Sequence, residues 1–234
     1  MPRTFGPRQL NINTIRGFIC FIINKSVLLR NKNRRIFYMD LKTIIIISRS
    51  GAGKGTQARK LVEYFKSNDS REVFHLETGS RIRDFLQEST HASKIASEVV
   101  ENGGLLPSFI AIWAWGGELI KKLDNAKHLI IDGAPRKVKE VDYIEEAFNF
   151  FGRQKVDVIY LNVGEDWSKT RLKERGRSDD KTDEDIARKM QWFNNEVLPA
   201  VNYYKDNDKY NFIEINGEQD IDSVHQEILS KLEI

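Results

Sequence analysis

Four consecutive isoleucines, residues 44–47, run directly into a loop of small residues and lysine. An unbroken run of β-branched residues favours a strand that is buried on both faces. The loop reads Ser-Arg-Ser-Gly-Ala-Gly-Lys-Gly-Thr-Gln over residues 48–57, and a helical pattern follows. A strand, a tight glycine-rich turn and a helix in this order direct backbone N–H groups and a helix N-terminus toward one point, where phosphates bind. The feature predicts a phosphate site at a strand end.

Two side chains of this loop suit a nucleoside triphosphate. Lys54 would bridge the β- and γ-phosphates, and the Thr56 hydroxyl would help to hold Mg²⁺ or its waters. The alternative is an ordinary glycine-rich turn that contains a lysine, but the position between a buried strand and a helix favours the phosphate site. Ser48 departs from the usual pattern of such phosphate-binding loops, which has glycine at this first position. Either Ser48 takes an uncommon backbone conformation or the loop opens slightly.

The rest of the chain alternates β-branched runs with helical periods, which predicts an α/β fold with a five-stranded parallel sheet and helices on both faces. The strands are expected at 43–47, 73–76, 128–131, 156–163 and 211–215. The helices are expected at 56–66, 80–88, 92–101, 107–123, 138–148, 166–174, 182–204 and 220–232. Phe109, Trp113 and Trp115 lie on one of these helices, and we expect them in the core in preference to a base-stacking role.

The first 38 residues differ in charge from the remainder. They hold eight of the 37 Lys and Arg residues and no acid, which leaves 29 basic against 34 acidic residues in the body. A mildly acidic body argues against nucleic-acid binding. The apolar run 17–23 is too short to span a bilayer, although the segment fits an organellar presequence in part. We expect residues 1–38 to lie outside the fold, upstream of a domain at 39–234.

The chain has one cysteine, Cys20, and four scattered histidines without metal-ligand spacing. One cysteine forms no internal disulfide and no four-cysteine zinc site, so we expect a reducing, cytoplasmic location and no zinc. We also expect a monomer that binds neither membrane nor nucleic acid.

Further motifs follow the loop. They are Thr78-Gly79 with Arg83 behind them, Glu-Asn-Gly-Gly-Leu-Leu-Pro at 101–107, Asp-Gly-Ala-Pro-Arg at 132–136, and an arginine-rich stretch at 171–180. With Gly-Lys-Gly-Thr-Gln, this set resembles the adenylate kinase family of P-loop nucleoside monophosphate kinases over nearly all of 39–234. The resemblance implies a monophosphate-binding segment at about 78–107. It also implies a lid at about 175–181, which is too short for a zinc-bearing subdomain.

The family carries out reversible phosphoryl transfer from MgATP to AMP, without a covalent enzyme intermediate, in nucleotide biosynthesis. By resemblance, ATP is bound by Gly51, Ala52, Gly53, Lys54, Gly55, Thr56 and Arg171. AMP is bound by Thr78, Gly79, Arg83, Gly103, Leu105, Gly133, Arg136 and Glu140. The catalytic groups are Lys54, Asp132, Arg136, Arg175, Arg177 and Arg188, and Mg²⁺ is held through water at Thr56 and Asp132.

Arginines from separate elements suit this chemistry, because a guanidinium stays charged and donates paired hydrogen bonds to phosphate. The role of Arg188 is ambiguous, since the neighbouring Lys189 is a better match to the position of the family's last arginine. Asp132 has the alternative role of a helix cap.

Glu140 occupies a position where the family usually has a glutamine that contacts adenine. A carboxylate only accepts hydrogen bonds, so it suits guanine, which presents two donors on that edge. The alternative is that Glu140 points to solvent in the first turn of its helix. Ala134, Ser48 and Lys189 also depart from the family pattern. They leave open a noncatalytic ATP-binding module, and GMP or CMP remain alternative acceptors to AMP.

Overall fold

The computed structural model describes residues 40–102, 104–177, 180 and 182–234. The predicted extension at 1–38 and the substrate-binding residue Gly103 lie outside this part of the chain, so the expectations placed on them stay predictions. Of the expected lid, residues 178, 179 and 181 also lie outside it.

The described strands form one parallel sheet, as predicted. They are β1 (Thr43–Ser48), β2 (Val73–Glu77), β3 (His128–Asp132), β4 (Asp157–Asn162) and β5 (Asn211–Asn216). Their order across the sheet is β2-β3-β1-β4-β5, and every neighbouring pair is parallel. The isoleucine strand β1 is therefore central, which explains why it carries no polar face.

Helices connect the strands. They are α1 (Lys54–Asn68), α2 (Thr78–Leu86), α3 (His91–Glu101), α4 (Ser108–Lys122), α5 (Val138–Phe150), α6 (Glu165–Arg175), α7 (Asp183–Trp192), α8 (Leu198–Lys205) and α9 (Ile221–Lys231). The single helix expected at 182–204 is interrupted by a π-helical turn at Phe193–Val197. Proline at the start of α8 has no N–H for the α-helical ladder, and Leu198 N donates to Phe193 O across the wider turn.

The isoleucine run divides the core between the two faces of the sheet. Ile45 and Ile47 pack with residues of α4, α5 and α8 on one face. Ile44 and Ile46 pack with residues of α1 and α9 on the other. Because strand side chains alternate, one short run anchors both helical layers. The predicted fold class is confirmed.

The expectation for the aromatic residues of α4 was correct for one residue and wrong for two. Trp115 is 2% exposed, whereas Phe109 and Trp113 are 69% and 46% exposed. Residues four apart share a helix face, so Phe109 and Trp113 lie together, while Trp115 turns to the core. No helix in the described ranges is long and apolar enough to cross a membrane.

Candidate active site

The predicted motifs meet at the carboxyl edge of the sheet. The glycine-rich loop follows β1, Thr78 follows β2, and Gly133 follows β3. In register, Asp132 lies opposite Ile46 on one side and Glu77 on the other. The carboxyl edge of a parallel sheet is where open α/β folds bind ligands.

Two glycines shape the phosphate loop. Gly51 and Gly53 have φ of 90° and 89°, a region that side chains other than glycine disfavour. The Gly53 carbonyl accepts from Thr56 N at 2.9 Å and Gln57 N at 3.1 Å, which starts α1. The free N–H groups at this helix start favour an anion.

Ser48 does not strain the loop. It belongs to β1 and lies opposite Leu161 of β4, in ordinary strand conformation. Its hydroxyl donates to the Arg49 carbonyl at 3.0 Å. The alternative of an uncommon backbone conformation at Ser48 is therefore wrong.

Lys54 and Asp132 connect the loop to β3. Lys54 Nζ lies 3.2 Å from Asp132 Oδ1. A Cβ added to Gly55 would lie 3.3 Å from Asp132 Oδ2, so the carboxylate borders the first turn of α1 closely. Thr56 Oγ1, in the same turn, accepts from Arg59 Nη2 at 3.4 Å. A carboxylate and a hydroxyl are oxygen donors of the kind that Mg²⁺ prefers, so these residues fit the ion.

A second group of cations surrounds Gly79. A Cβ built there would lie 3.3 Å from Arg83 Nη1 and 3.6 Å from Arg136 Nη2, so two guanidinium groups meet over one glycine. Arg136 Nε donates to the Gly133 carbonyl at 3.1 Å. The buried Thr78 hydroxyl has no hydrogen-bond partner among the described residues. Two arginines beside exposed backbone form a suitable pocket for a phosphate.

Asp180, in the segment expected to form the lid, has a buried carboxylate that binds two cations. Arg175 Nε donates to Asp180 Oδ2 at 2.9 Å, and Lys189 Nζ donates to Asp180 Oδ1. Arg188 is paired with Asp185 on its own helix. The backbone carbonyl of Arg177 accepts from Asp180 N at 3.0 Å. The structure thus places Lys189, and not Arg188, beside Arg175.

The loop, the acceptor arginines and the short lid occur together with a family match. The sequence model of adenylate kinases matches residues 46–209. The chain belongs to the adenylate kinase family. Adenylate kinase 1 of Nostoc sp. is 32% identical over 189 residues, which cover 81% of this chain and 97% of that protein. Adenylate kinase of Flavobacterium johnsoniae is 30% identical, with 81% and 97% covered, and isoenzyme 1 of Sus scrofa is 26% identical, with 82% and 94% covered. The resemblance drawn from the motifs is confirmed.

Another residue that the adenylate kinase resemblance named is Arg171, which is exposed on α6. Its guanidinium carbon lies 5.0 Å from the centre of the Trp167 ring. Both residues line a cavity of about 720 Å³ with Gly164, Thr170 and Glu218. Leu105 is half-buried in the segment between α3 and α4.

Glu140 is buried in this member of the adenylate kinase family. It is 2% exposed, and its Oε2 accepts from the backbone N of Arg136 at 3.2 Å. Burial raises the pKa of Glu140, and the hydrogen bond from Arg136 N–H and the charge of its guanidinium partly oppose this. The solvent-facing alternative is therefore wrong.

The loop contacts of Ser168 and Arg49 were not foreseen from the sequence. The buried Ser168 hydroxyl of α6 donates to the Ser50 carbonyl, and a Cβ on Gly51 would lie 2.8 Å from the Ser168 carbonyl. Arg49 lies 4.2 Å from the Phe193 ring centre and donates to Asn194 Oδ1 at 3.2 Å. Arg49 stands out in the sequence as an arginine among small loop residues, and this could have indicated a contact. Nothing in the sequence indicates that Ser168 contacts the loop.

Proposed function

We propose that this enzyme transfers a phosphoryl group reversibly between MgATP and AMP. The observation that supports the proposal is that two groups of cations, each suited to a phosphate, lie on one sheet edge. One contains Lys54 and the glycine loop, and the other contains Arg83 and Arg136 around Gly79. A protein that only binds ATP has no use for the second site. Family membership and the adenylate kinases named above support AMP as the acceptor.

The residues divide the work of the reaction. The loop amides and Lys54 would hold the phosphates of ATP, while Arg83 and Arg136 would align the acceptor phosphate for in-line attack. Arg175 and Lys189 would approach the transferring group as the lid closes and excludes water. Catalysis then rests on alignment and on cations that face the spreading negative charge.

Thr56 and Asp132 would hold Mg²⁺, directly or through water. When bound, the ion would neutralise charge on the phosphates of ATP. The Lys54 side chain now paired with Asp132 would turn to phosphate.

We also propose that the protein acts as a cytoplasmic monomer without zinc, membrane or nucleic-acid partners. The excess of acidic over basic residues after residue 38 supports the last point, because phosphate backbones select clustered cations.

The test is ADP formation from ATP and AMP in a coupled assay with Mg²⁺, with EDTA as the metal-free control. ADP that forms only when both nucleotides and Mg²⁺ are present would support the proposal. Binding of ATP without turnover on AMP, GMP, CMP or UMP would support the noncatalytic alternative.

GMP is a second candidate acceptor because of Glu140. Its carboxyl group is buried next to Arg136, and an ionised carboxylate accepts from the two guanine donors but has no donor for adenine N1. If Glu140 contacts the base, Glu140→Gln should shift preference from GMP toward AMP by about 1 to 3 kcal/mol. Unchanged preferences across the four monophosphates would place Glu140 outside the base site.

A further inference from the structure

Arg83 carries a counter-ion that phosphoryl transfer does not require. Glu77 is the last residue of β2, and its Oε1 accepts from Arg83 Nη2 at 3.1 Å. The other terminal nitrogen, Nη1, is the one that would lie 3.3 Å from a Cβ built at Gly79, where Arg136 Nη2 also approaches. One guanidinium group therefore connects the Glu77 carboxylate to the expected position of the acceptor phosphate.

Glu77 is one of two adjacent carboxylates at this edge. Asp132 lies opposite it in register, and Asp132 is paired with Lys54. Burial lowers the pKa of His75 on β2, and the charges of Asp132 and Glu77 oppose that shift. Glu77 thus adds a second negative charge beside Asp132 at this edge of the sheet.

Orientation of an arginine does not need a charged partner here. Arg136 is held by the neutral carbonyl of Gly133 at 3.1 Å, close to the same glycine. A neutral acceptor could therefore also orient Arg83, although less strongly than a carboxylate does. The negative charge of Glu77 has a second effect, because it offsets one of the two cations around Gly79.

We propose that Glu77 is a built-in counter-ion of the acceptor site that weakens monophosphate binding and raises its KM. The inference rests on the proposed function, since it takes a nucleoside monophosphate as the substrate. A bound phosphate has to share Arg83 with a carboxylate of the same sign, and like charges at close range disfavour binding.

Glu77→Gln tests this, because the amide keeps an oxygen acceptor for Arg83 and loses the charge. The KM for AMP should fall by about two- to fivefold, a typical effect of one partly exposed charge, while the KM for ATP stays unchanged. Glu72→Gln is the matched control. Glu72 pairs with Lys127 at the same 3.1 Å, at the opposite end of β2. The Glu72→Gln variant should leave the KM for AMP and the KM for ATP unchanged.

Titration of each protein with AMP alone provides a second measurement that does not need turnover. Tighter AMP binding by Glu77→Gln, weakening as salt is added, supports the counter-ion. Unchanged or weaker AMP binding by a folded Glu77→Gln protein overturns it, and would leave Glu77 as a residue that only positions Arg83. If wild type binds AMP but forms no ADP, the proposed function fails and the titration still decides the role of Glu77.

Discussion

The glycine-rich loop and the arginines around Gly79 would bind the same chemical group, a phosphate, by different means. The loop is held through its backbone by two glycines, by the start of α1 and by Ser168, and the neighbouring Lys54 and Asp132 side chains are 23% and 8% exposed. On the proposed acceptor side the Arg83 side chain is 51% exposed. Folding therefore fixes the loop more firmly than the acceptor arginines, which a bound phosphate would order further.

This difference predicts different kinetic effects. Changes to the loop should lower kcat, because its geometry exists before substrate binds and acts on the transferring group. Changes to the acceptor arginines should raise the KM of one substrate.

The largest effect is expected for Lys54→Ala. Loss of a cation that would face the transferring phosphate should lower kcat by about 10²- to 10³-fold with the fold intact. Lys60→Ala is the matched control, since Lys60 is also on α1 but pairs with Asp222 at 2.9 Å. Steady-state rates and melting temperatures of both variants check this. A folded Lys54→Ala enzyme with wild-type kcat would remove Lys54 from the mechanism.

Arg83→Ala should raise the KM for AMP by about 10- to 100-fold, the effect of losing a charge-assisted hydrogen bond, and leave the KM for ATP nearly unchanged. Arg81 provides the control on the same helix, because its guanidinium carbon lies 5.0 Å from the centre of the Trp113 ring. Arg81→Ala should leave the KM for AMP as it is. An equal rise in both KM values for Arg83→Ala would show that the two sites are not separate.

The cations on Asp180 lie between these two cases, since a buried carboxylate orders them. Lys189→Ala should lower kcat/KM by about tenfold, because Asp180 loses one of its partners and the expected lid loses a neighbouring cation. Arg188→Ala removes only an exposed pair with Asp185 and should change it by less than about twofold. The reverse ranking would return the catalytic role to Arg188.

The same contrast explains what the sequence could predict. The isoleucine run and the loop glycines follow local rules of burial, alternation and positive φ. The central strand and the phosphate loop were therefore predictable from their own residues. The π turn at Phe193–Val197 and the exposure of Trp113 depend on partners elsewhere in the chain. Ser168 packs on the loop from 118 residues away, a distance that no local pattern encodes.

Burial of Glu140 was open in the sequence for a physical reason. The helix dipole favours a carboxylate in the first turn by about 0.3–1 kcal/mol at the surface, and by up to about 2 kcal/mol where it is partly buried. Its pattern therefore could not separate a surface role from a buried one. The packing of α5 determines the burial of Glu140, which is on the same side of the helix as the core residues Val141 and Ile144.

The smallest expected effect concerns the stability of this buried group. Burial raises the pKa of Glu140, so the folded protein holds the proton to a higher pH than the unfolded chain. The resulting stability is fully present below the unfolded pKa and is lost as pH rises through the folded pKa. Glu140→Gln has no such loss and keeps an acceptor for Arg136 N–H. It should be more stable than wild type at pH 7, with a difference that shrinks toward about pH 4.3, the ordinary pKa of glutamate.

Urea unfolding at both pH values measures this, with Glu146→Gln on the exposed face of α5 as the control. A Glu140→Gln protein that is less stable at pH 7 would mean that the charge-assisted bond to Arg136 outweighs desolvation.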